Sequence, residues 1–415
     1  MGLVRGLHSC AAEVLLSVSV VLQAPTSLRA AAQALMLLLG IDRHWSTIRL
    51  WILRIGLANL TRPLTVAPDW VWFIDHSVQI GRCKCLVILG IRLSVYPWGR
   101  PLVYADLEPV AVVPMECATK ASVHECLETA VHRTGVPRAI VDDHGADLHG
   151  GVKLFQQRHP GTAEVYDVKH KAACLLRARL EPDPTWQSFC TQVGKSKFAL
   201  QQTELAPLTP PSQRSKARFM NLDILVQWGV KTLAVLDQPA GLPAEISPSR
   251  LLAKLGWLRD YREKLEEWSA DLAVIEQTLE FTRTKGVFAG TAEILAHQLP
   301  PPNAPGGVLA TQLVEFVEDQ SSAAAPHEKL PASTEVLESC FGKLKYLEQE
   351  QSKSGFTGLI LSLGTIVGPL TLERVKDALE RCRVKDVLNW CRETLGPSIQ
   401  SQRQTAYAMC NAQQK

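Results

Sequence analysis

No run of eighteen uncharged apolar residues occurs in the 415-residue chain, so no membrane span is expected. The eleven cysteines are scattered, and the only close pair is Cys83-x-Cys85. Without paired CxxC motifs, neither a cysteine-built zinc site nor a disulfide framework is indicated, and free thiols in a reducing cytosol are expected. An excess of one charge is also missing. Forty-four Lys and Arg against 41 Asp and Glu leave a net +3. A nucleic-acid partner must therefore be argued from local charge and motifs. There is no Gly-x-Ser-x-Gly, no dinucleotide-binding glycine fingerprint and no HExxH. Val193-Gly194-Lys195-Ser196 imitates the end of a phosphate-binding loop, but Phe189 stands where that loop requires glycine. His132, His144, His149, His159 and His170 lack metal-ligand spacing. Val14–Leu22 is a short apolar run, but Glu13 borders it and an amphipathic pattern follows, so a helix rather than a secretion signal is read.

With 46% apolar and 20% charged residues, the chain can build more than one domain. Residues 1–66 read as all helix: Cys10–Gln23, Ser27–Leu39 stopped by Gly40, and Ser46–Ile55 stopped by Gly56. The last two, six residues apart, suggest a helix-turn-helix. Ile48, Trp51, Ile52 and Ile55 form its core stripe, leaving Thr47, Arg49 and Arg54 nearer the solvent as candidate DNA contacts. Residues 1–68 hold six Arg and two acids, a local +4.

Residues 67–180 change period. Strands are expected at 70–75, 83–94, 102–104, 138–141 and 163–166, with helices at 119–134, 149–158 and 168–180. A strand meander followed by alternating helix and strand means an α/β fold with a mixed sheet. Residues 181–332 break the alternation. Pro210-Pro211 and Pro300-Pro301-Pro302 mark loops, and the segment reads as a mainly helical insertion with helices at 223–236 and within 248–280. Arg214, Lys216 and Arg218 lie in one of its loops and could clamp a phosphate backbone. Residues 333–415 return to helix patterns with a Gln-rich tail.

Three acids stand where metal chemistry needs them. Asp75 ends the strand Trp72-Phe73-Ile74-Asp75, and Asp143 follows the strand Ala139-Ile140-Val141-Asp142. Acids at the carboxyl ends of neighbouring sheet strands face the crevice where ligands bind, and carboxylate oxygens suit hard divalent cations. Beyond the insertion, Glu335, Glu338, Gly342 and Lys345 share one face of a helix, while Leu337, Phe341 and Leu344 share the core face. Taken singly, each acid also fits a cap or a solvated helix face.

Together these acids carry a family resemblance. Phe73-Ile74-Asp75-His76-Ser77, Val141-Asp142-Asp143-His144-Gly145-Ala146-Asp147-Leu148, Tyr166-Asp167-Val168-Lys169-His170-Lys171 and Glu335-Val336-Leu337-Glu338-Ser339-Cys340-Phe341-Gly342-Lys343 resemble stretches of the DDE transposases of bacterial insertion sequences of the cut-and-paste type. The resemblance covers about 70–180 and 333–350. It favours Asp143 over Asp142, because the family follows its acid with any residue and then Gly. It favours Glu338 over Glu335, because six residues and then Lys345 follow Glu338. The family's Arg and Tyr upstream of that Glu are replaced here by Thr334 and Pro331. A contiguous Tyr261-Arg262-Glu263-Lys264 in the insertion has the wrong spacing and counts as coincidence.

The resemblance implies an RNase H-like catalytic core behind a helix-turn-helix domain. It implies a transposase that binds double-stranded DNA, both the inverted repeats of the element and its target, as a homodimer in the bacterial nucleoid. Asp75, Asp143 and Glu338 would hold two Mg2+, replaceable by Mn2+, for 3′-end cleavage and strand transfer. Asp75 would bridge both ions, and Lys345 would hold a nearby phosphate. A DNA-binding relic without catalysis, or another RNase H-like nuclease, are the alternatives that the same layout leaves open.

Overall fold

The computed structural model describes residues 10–24, 26–80, 83–212, 219, 222–238, 246–349, 357–396, 403–405 and 407. In chain order, three helices come first: α1 (Ala11–Gln23), α2 (Leu28–Leu39) and α3 (Trp45–Thr61). A sheet segment follows with β1 (Trp70–Ile80), β2 (Cys83–Arg92), β3 (Glu108–Met115), α4 (Lys120–Thr134), β4 (Ala139–Asp142), α5 (Ala146–Arg158) and β5 (Ala163–Tyr166). Then come α6 (Val168–Leu180), α7 (Pro184–Leu200), α8 (Leu222–Asp237), α9 (Pro248–Leu255), α10 (Arg262–Lys285), α11 (Thr291–Gln298) and α12 (Gly307–Ser321). The chain closes with α13 (Glu335–Gln349), α14 (Leu363–Ile366), α15 (Leu372–Arg381) and α16 (Val384–Trp390). No helix among the described residues is long and apolar enough to cross a membrane.

Two compact units result. The first joins residues 1–165 to 334–415, and the second is 166–333. Residues 1–66 thus share a unit with the sheet and with the C-terminal helices.

The sheet of the first unit has the order β3-β2-β1-β4-β5. β1 pairs antiparallel with β2, β2 antiparallel with β3, and β1 parallel with β4. Alternation along β1 sends Trp70, Trp72 and Ile74 to one face. There they pack with Leu86, Ile88 and Ile140 and with α4 and α5 through Val123, Leu127, Val152 and Phe155. Gly151 of α5 lets the two helices close up, because a Cβ there would sit 2.5 Å from Val123 Cγ1. The opposite parity, including Phe73 and Asp75, belongs to the other face.

The third strand differs from expectation. Residues 102–104 form no strand, and β3 runs Glu108–Met115 with Pro109 and Pro114 inside it. Those prolines give the segment the look of a loop in the sequence. They are tolerated because β3 lies at the edge of the sheet, where a missing N–H costs no ladder bond. β1 also runs past the expected end at Asp75, to Ile80.

Helix α3 departs most from its reading. It opens one residue earlier than expected, capped by the His44 ring, which accepts from Ser46 N–H. Gly56 does not stop it. A Cβ there would lie 1.9 Å from Leu361 O, and one on Gly364 would lie 2.4 Å from Gly56 O. The two glycines mark where α3 crosses α14 at backbone contact. Every residue from Trp51 to Asn59 is buried, so α3 is enclosed on all sides beyond its first two turns.

The second unit is helical, as its sparse strand signal suggests. Its centre is aromatic: Trp186 meets Trp268 edge-on at 4.8 Å between ring centroids, and Phe189 touches Trp257, Tyr261 and Trp268. Arg179 of α6 bonds Glu267 and the buried Asp271 of α10 at 2.7 and 2.9 Å. Burial raises the Asp271 carboxyl to about 6 in spite of that partner.

Candidate active site

The parallel register of β1 on β4 pairs Val71 with Ala139, Trp72 with Ile140 and Phe73 with Val141. The paired register ends there, β4 itself ends at Asp142, and Asp143 is the first residue of the turn that follows. Alternation gives Asp75 the parity of Phe73, away from the α4–α5 core. It gives Asp142 the opposite parity, and Asp142 is fully buried.

The two acids differ accordingly. Asp75 and Asp143 are half-buried. Asp75 Oδ1 accepts its neighbour His76 N–H at 2.5 Å, and Asp143 Oδ1 accepts Gly145 N–H at 2.9 Å, which shapes the turn into α5. Asp142 accepts His144 N–H at 2.6 Å. Burial first, and then the charge of Glu164, pushes the Asp142 carboxyl well above its ordinary range.

α13 packs against β1. It carries no residue of the core cluster between the sheet and α4–α5. Its Glu348 acts electrostatically on Cys85, which shares the outward parity on β2. α13 therefore lies on the face of Asp75. Leu337, Phe341 and Leu344 are buried as its core stripe. Glu338, in the first turn, is half-buried, and Lys345 is exposed two turns on. Tyr104 and Ser339 join hydroxyls at 2.6 Å, and Lys343 donates to Leu22 O at 2.8 Å, fixing the helix along its axis.

Beside the acids stands a group that the sequence reading missed. His76, next after Asp75, places Nε2 3.0 Å from Asp147 Oδ2, which also accepts from Lys84 Nζ at 2.7 Å. Burial lowers the His76 imidazole, with the Asp147 charge opposing, and the charge of Asp143 also reaches it. The Asp147 signal was present in the stretch Asp143-His144-Gly145-Ala146-Asp147, but its partners come from two strands far off in sequence.

A second cluster joins residues read as unrelated. His149 Nδ1 lies 2.7 Å and His144 Nε2 3.5 Å from Glu164 Oε1. Lys153 Nζ holds the other Glu164 oxygen at 2.9 Å. Burial, together with the charges of His149 and Lys153, brings His144 down to about 4.

The candidate DNA contacts fare unequally. Arg54 is not near the solvent: it is 7% exposed. Its guanidinium donates to Cys382 O at 2.7 Å and Leu379 O at 2.6 Å. The physical reason is the burial of α3 all round, which turns a cation expected on a free face into a clamp on the end of α15. Thr47 and Arg49, in the first turn of α3, remain half-buried. Arg214, Lys216 and Arg218 lie outside the described residues.

No protein-family model matches the chain, and no curated protein matches it. Among solved structures, the chain is similar to the Drosophila P element transposase strand transfer complex, at 8% identity and a TM-score of 0.33, over 95% of this chain and 83% of that one.

Proposed function

We propose that the chain is a DNA transposase with an RNase H-like core, cleaving and joining strands through Asp75, Asp143 and Glu338. The observation that supports this reading is the parallel pairing of β1 with β4, with Asp75 and Asp143 each two residues past the last pair, together with α13 packed against β1. The order β3-β2-β1-β4-β5, antiparallel across the first three strands and parallel between β1 and β4, supports the RNase H-like assignment.

The donors are of the type a divalent hard cation takes, but among the described residues their oxygens do not all lie within 4.8 Å of one another, so the three would have to draw closer to share an ion. Three carboxylates offer only oxygens, and all three are half-buried, reachable by solvent and substrate. Two bound Mg2+ would supply activation of the attacking oxygen and stabilisation of the leaving one. The residues do the rest. Asp75, Asp143 and Glu338 concentrate negative charge on one side of the sheet, so the site repels a bare phosphate until that charge is neutralised. His76, held against Asp147, stands beside Asp75, and burial lowers its pKa against the opposing charge of Asp147. Lys345, exposed and seven residues from Glu338, presents an ammonium to DNA phosphate as a point charge. The end-binding surface begins with Thr47 and Arg49 and draws no contact from Arg54. Binding as a dimer on the element's ends belongs to the same proposal.

The test is isosteric neutralisation. Asp75→Asn, Asp143→Asn and Glu338→Gln should each reduce Mg2+-dependent strand cleavage by roughly a thousandfold or more while end-DNA binding persists. Glu335→Gln is the control expected to cleave. Full cleavage by all three neutralised variants overturns the proposal.

A further inference from the structure

We propose that His144, His149 and Glu164 form a zinc site on the α5 side of the sheet, separate from the carboxylates that face α13. The three side chains come from the turn after β4, from α5 and from β5. One ligand atom from each lies within 4.8 Å of the others. His149 Nδ1 is 2.7 Å and His144 Nε2 3.5 Å from Glu164 Oε1. Donors around a tetrahedral zinc lie about 3.3 Å apart, given bonds of about 2.0–2.1 Å. The two separations to Glu164 Oε1 lie on either side of that spacing.

Three further features point the same way. Glu164 is all but enclosed, its side chain 4% exposed, and Lys153 holds its outer oxygen, which leaves Oε1 to the histidines. Outer partners of this kind orient a metal-binding carboxylate. Asp142, fully buried at the edge of the cluster, shares a side-chain hydrogen bond with Glu164, and its Oδ1 is 3.9 Å from His144 Nε2. His144 has φ +56°, a left-handed backbone that a non-glycine residue adopts at a cost. That conformation brings its ring to 4.3 Å from the ring of His149. Strain of this sort persists where surrounding structure demands it.

The chemistry selects the ion. Two imidazoles suit zinc, whereas magnesium wants oxygens and keeps its waters. Bound zinc would staple the turn that carries Asp143 to α5 and β5. Its place in the protein is therefore structural, beside the cleavage site rather than within it.

Calorimetric titration of the chelator-stripped full chain with Zn2+, in the absence of DNA, tests this. One zinc per chain should bind and resist excess Mg2+, and cobalt substitution should give the visible bands of a tetrahedral site. Replacing both histidines (His144→Phe with His149→Phe) keeps the ring volumes and should weaken zinc on the order of a hundredfold. Glu164→Gln, a milder change, should weaken it in the same direction if the double variant fails to fold. Asp75→Asn should leave zinc binding intact. Failure of the parent chain to bind zinc overturns the proposal, as does unchanged affinity in the Glu164 variant or loss of zinc in Asp75→Asn. Because no cleavage is measured, the outcome is independent of the transposase reading.

Discussion

Arg54 shows how much one side chain's surroundings decide. A surface arginine and a buried one have the same letter in the sequence. Here the guanidinium is 7% exposed and satisfies two backbone carbonyls, Leu379 O and Cys382 O, at the end of α15. Removing it leaves buried acceptors unpaired and breaks a link between residues more than 300 apart. Arg54→Ala should therefore lower stability by about 2–4 kcal/mol, the cost of orphaned acceptors and lost charged hydrogen bonds. Thermal unfolding followed by circular dichroism measures it. A phosphate-contacting arginine would behave otherwise, with unchanged melting and a salt slope for DNA binding shallower by about 1. Arg49→Ala is expected to follow that second pattern. The acids obey the same logic. Asp142 and Asp143 are neighbours, yet the first, the last residue of β4, is buried and the second, in the turn that follows, is half-buried.

At the scale of elements, α3 is the hub of the first unit. It contacts α1, α2, α14, α15 and α16 as well as β3. A helix so enclosed cannot enter a DNA groove along its length, and only its first turns can reach a ligand. Its crossing with α14 depends on two glycines that meet backbone to backbone. Gly56→Ala would put a methyl 1.9 Å from Leu361 O, and a backbone carbonyl cannot swing aside as a side chain can. Overpacking of this kind is expected to cost about 3 kcal/mol. Gly194→Ala, in a helix where an added methyl meets nothing within 4 Å, should be neutral or slightly stabilising. Chemical denaturation of both variants checks the contrast, and equal midpoints would show that α3 and α14 can separate at no cost. Bonds between α13 and the rest of its unit work in the same direction: Lys343 to Leu22 O and Ser339 to Tyr104 tie this helix to the chain's first and second hundreds of residues.

For the whole molecule, a net charge of +3 offers little general attraction to DNA. On the proposed function, affinity would come from local cations and catalysis from ions held by carboxylates. The two should come apart on chelation. Full-length protein in EDTA is expected to bind end DNA with unchanged or modestly altered affinity and to cleave nothing, and Mg2+ should restore cleavage. Mobility-shift and nicking assays on the same samples read both. Loss of binding together with cleavage would mean that the ions hold the DNA-binding surface in place, not the scissile phosphate. The division at residue 165/166 matters here as well, because the second unit interrupts the first between the strand acids and Glu338.

Because amphipathic spacing is local, periodicity and punctuation alone determined most helices outside 181–332, four of the five strands and the helical character of residues 181–332, though not its helices at 184–200, 291–298 and 307–321. The same periodicity set Asp75, the Asp142-Asp143 pair and the Glu335–Glu338 face at the ends of apolar runs or on one helix face, and the family resemblance alone chose Asp143 and Glu338 among them. The edge strand at 108–115 was hidden by Pro109 and Pro114, whose tolerance depends on having no neighbour on one side. The length of α3 was hidden by Gly56, which reads as a helix stop until α14 is seen pressed against it. The burial of Arg54, the His76–Asp147–Lys84 group and the meeting of His144, His149 and Glu164 were decided by tertiary structure alone. Each joins residues from separate elements, and no spacing within a single segment encodes which strand will lie beside which.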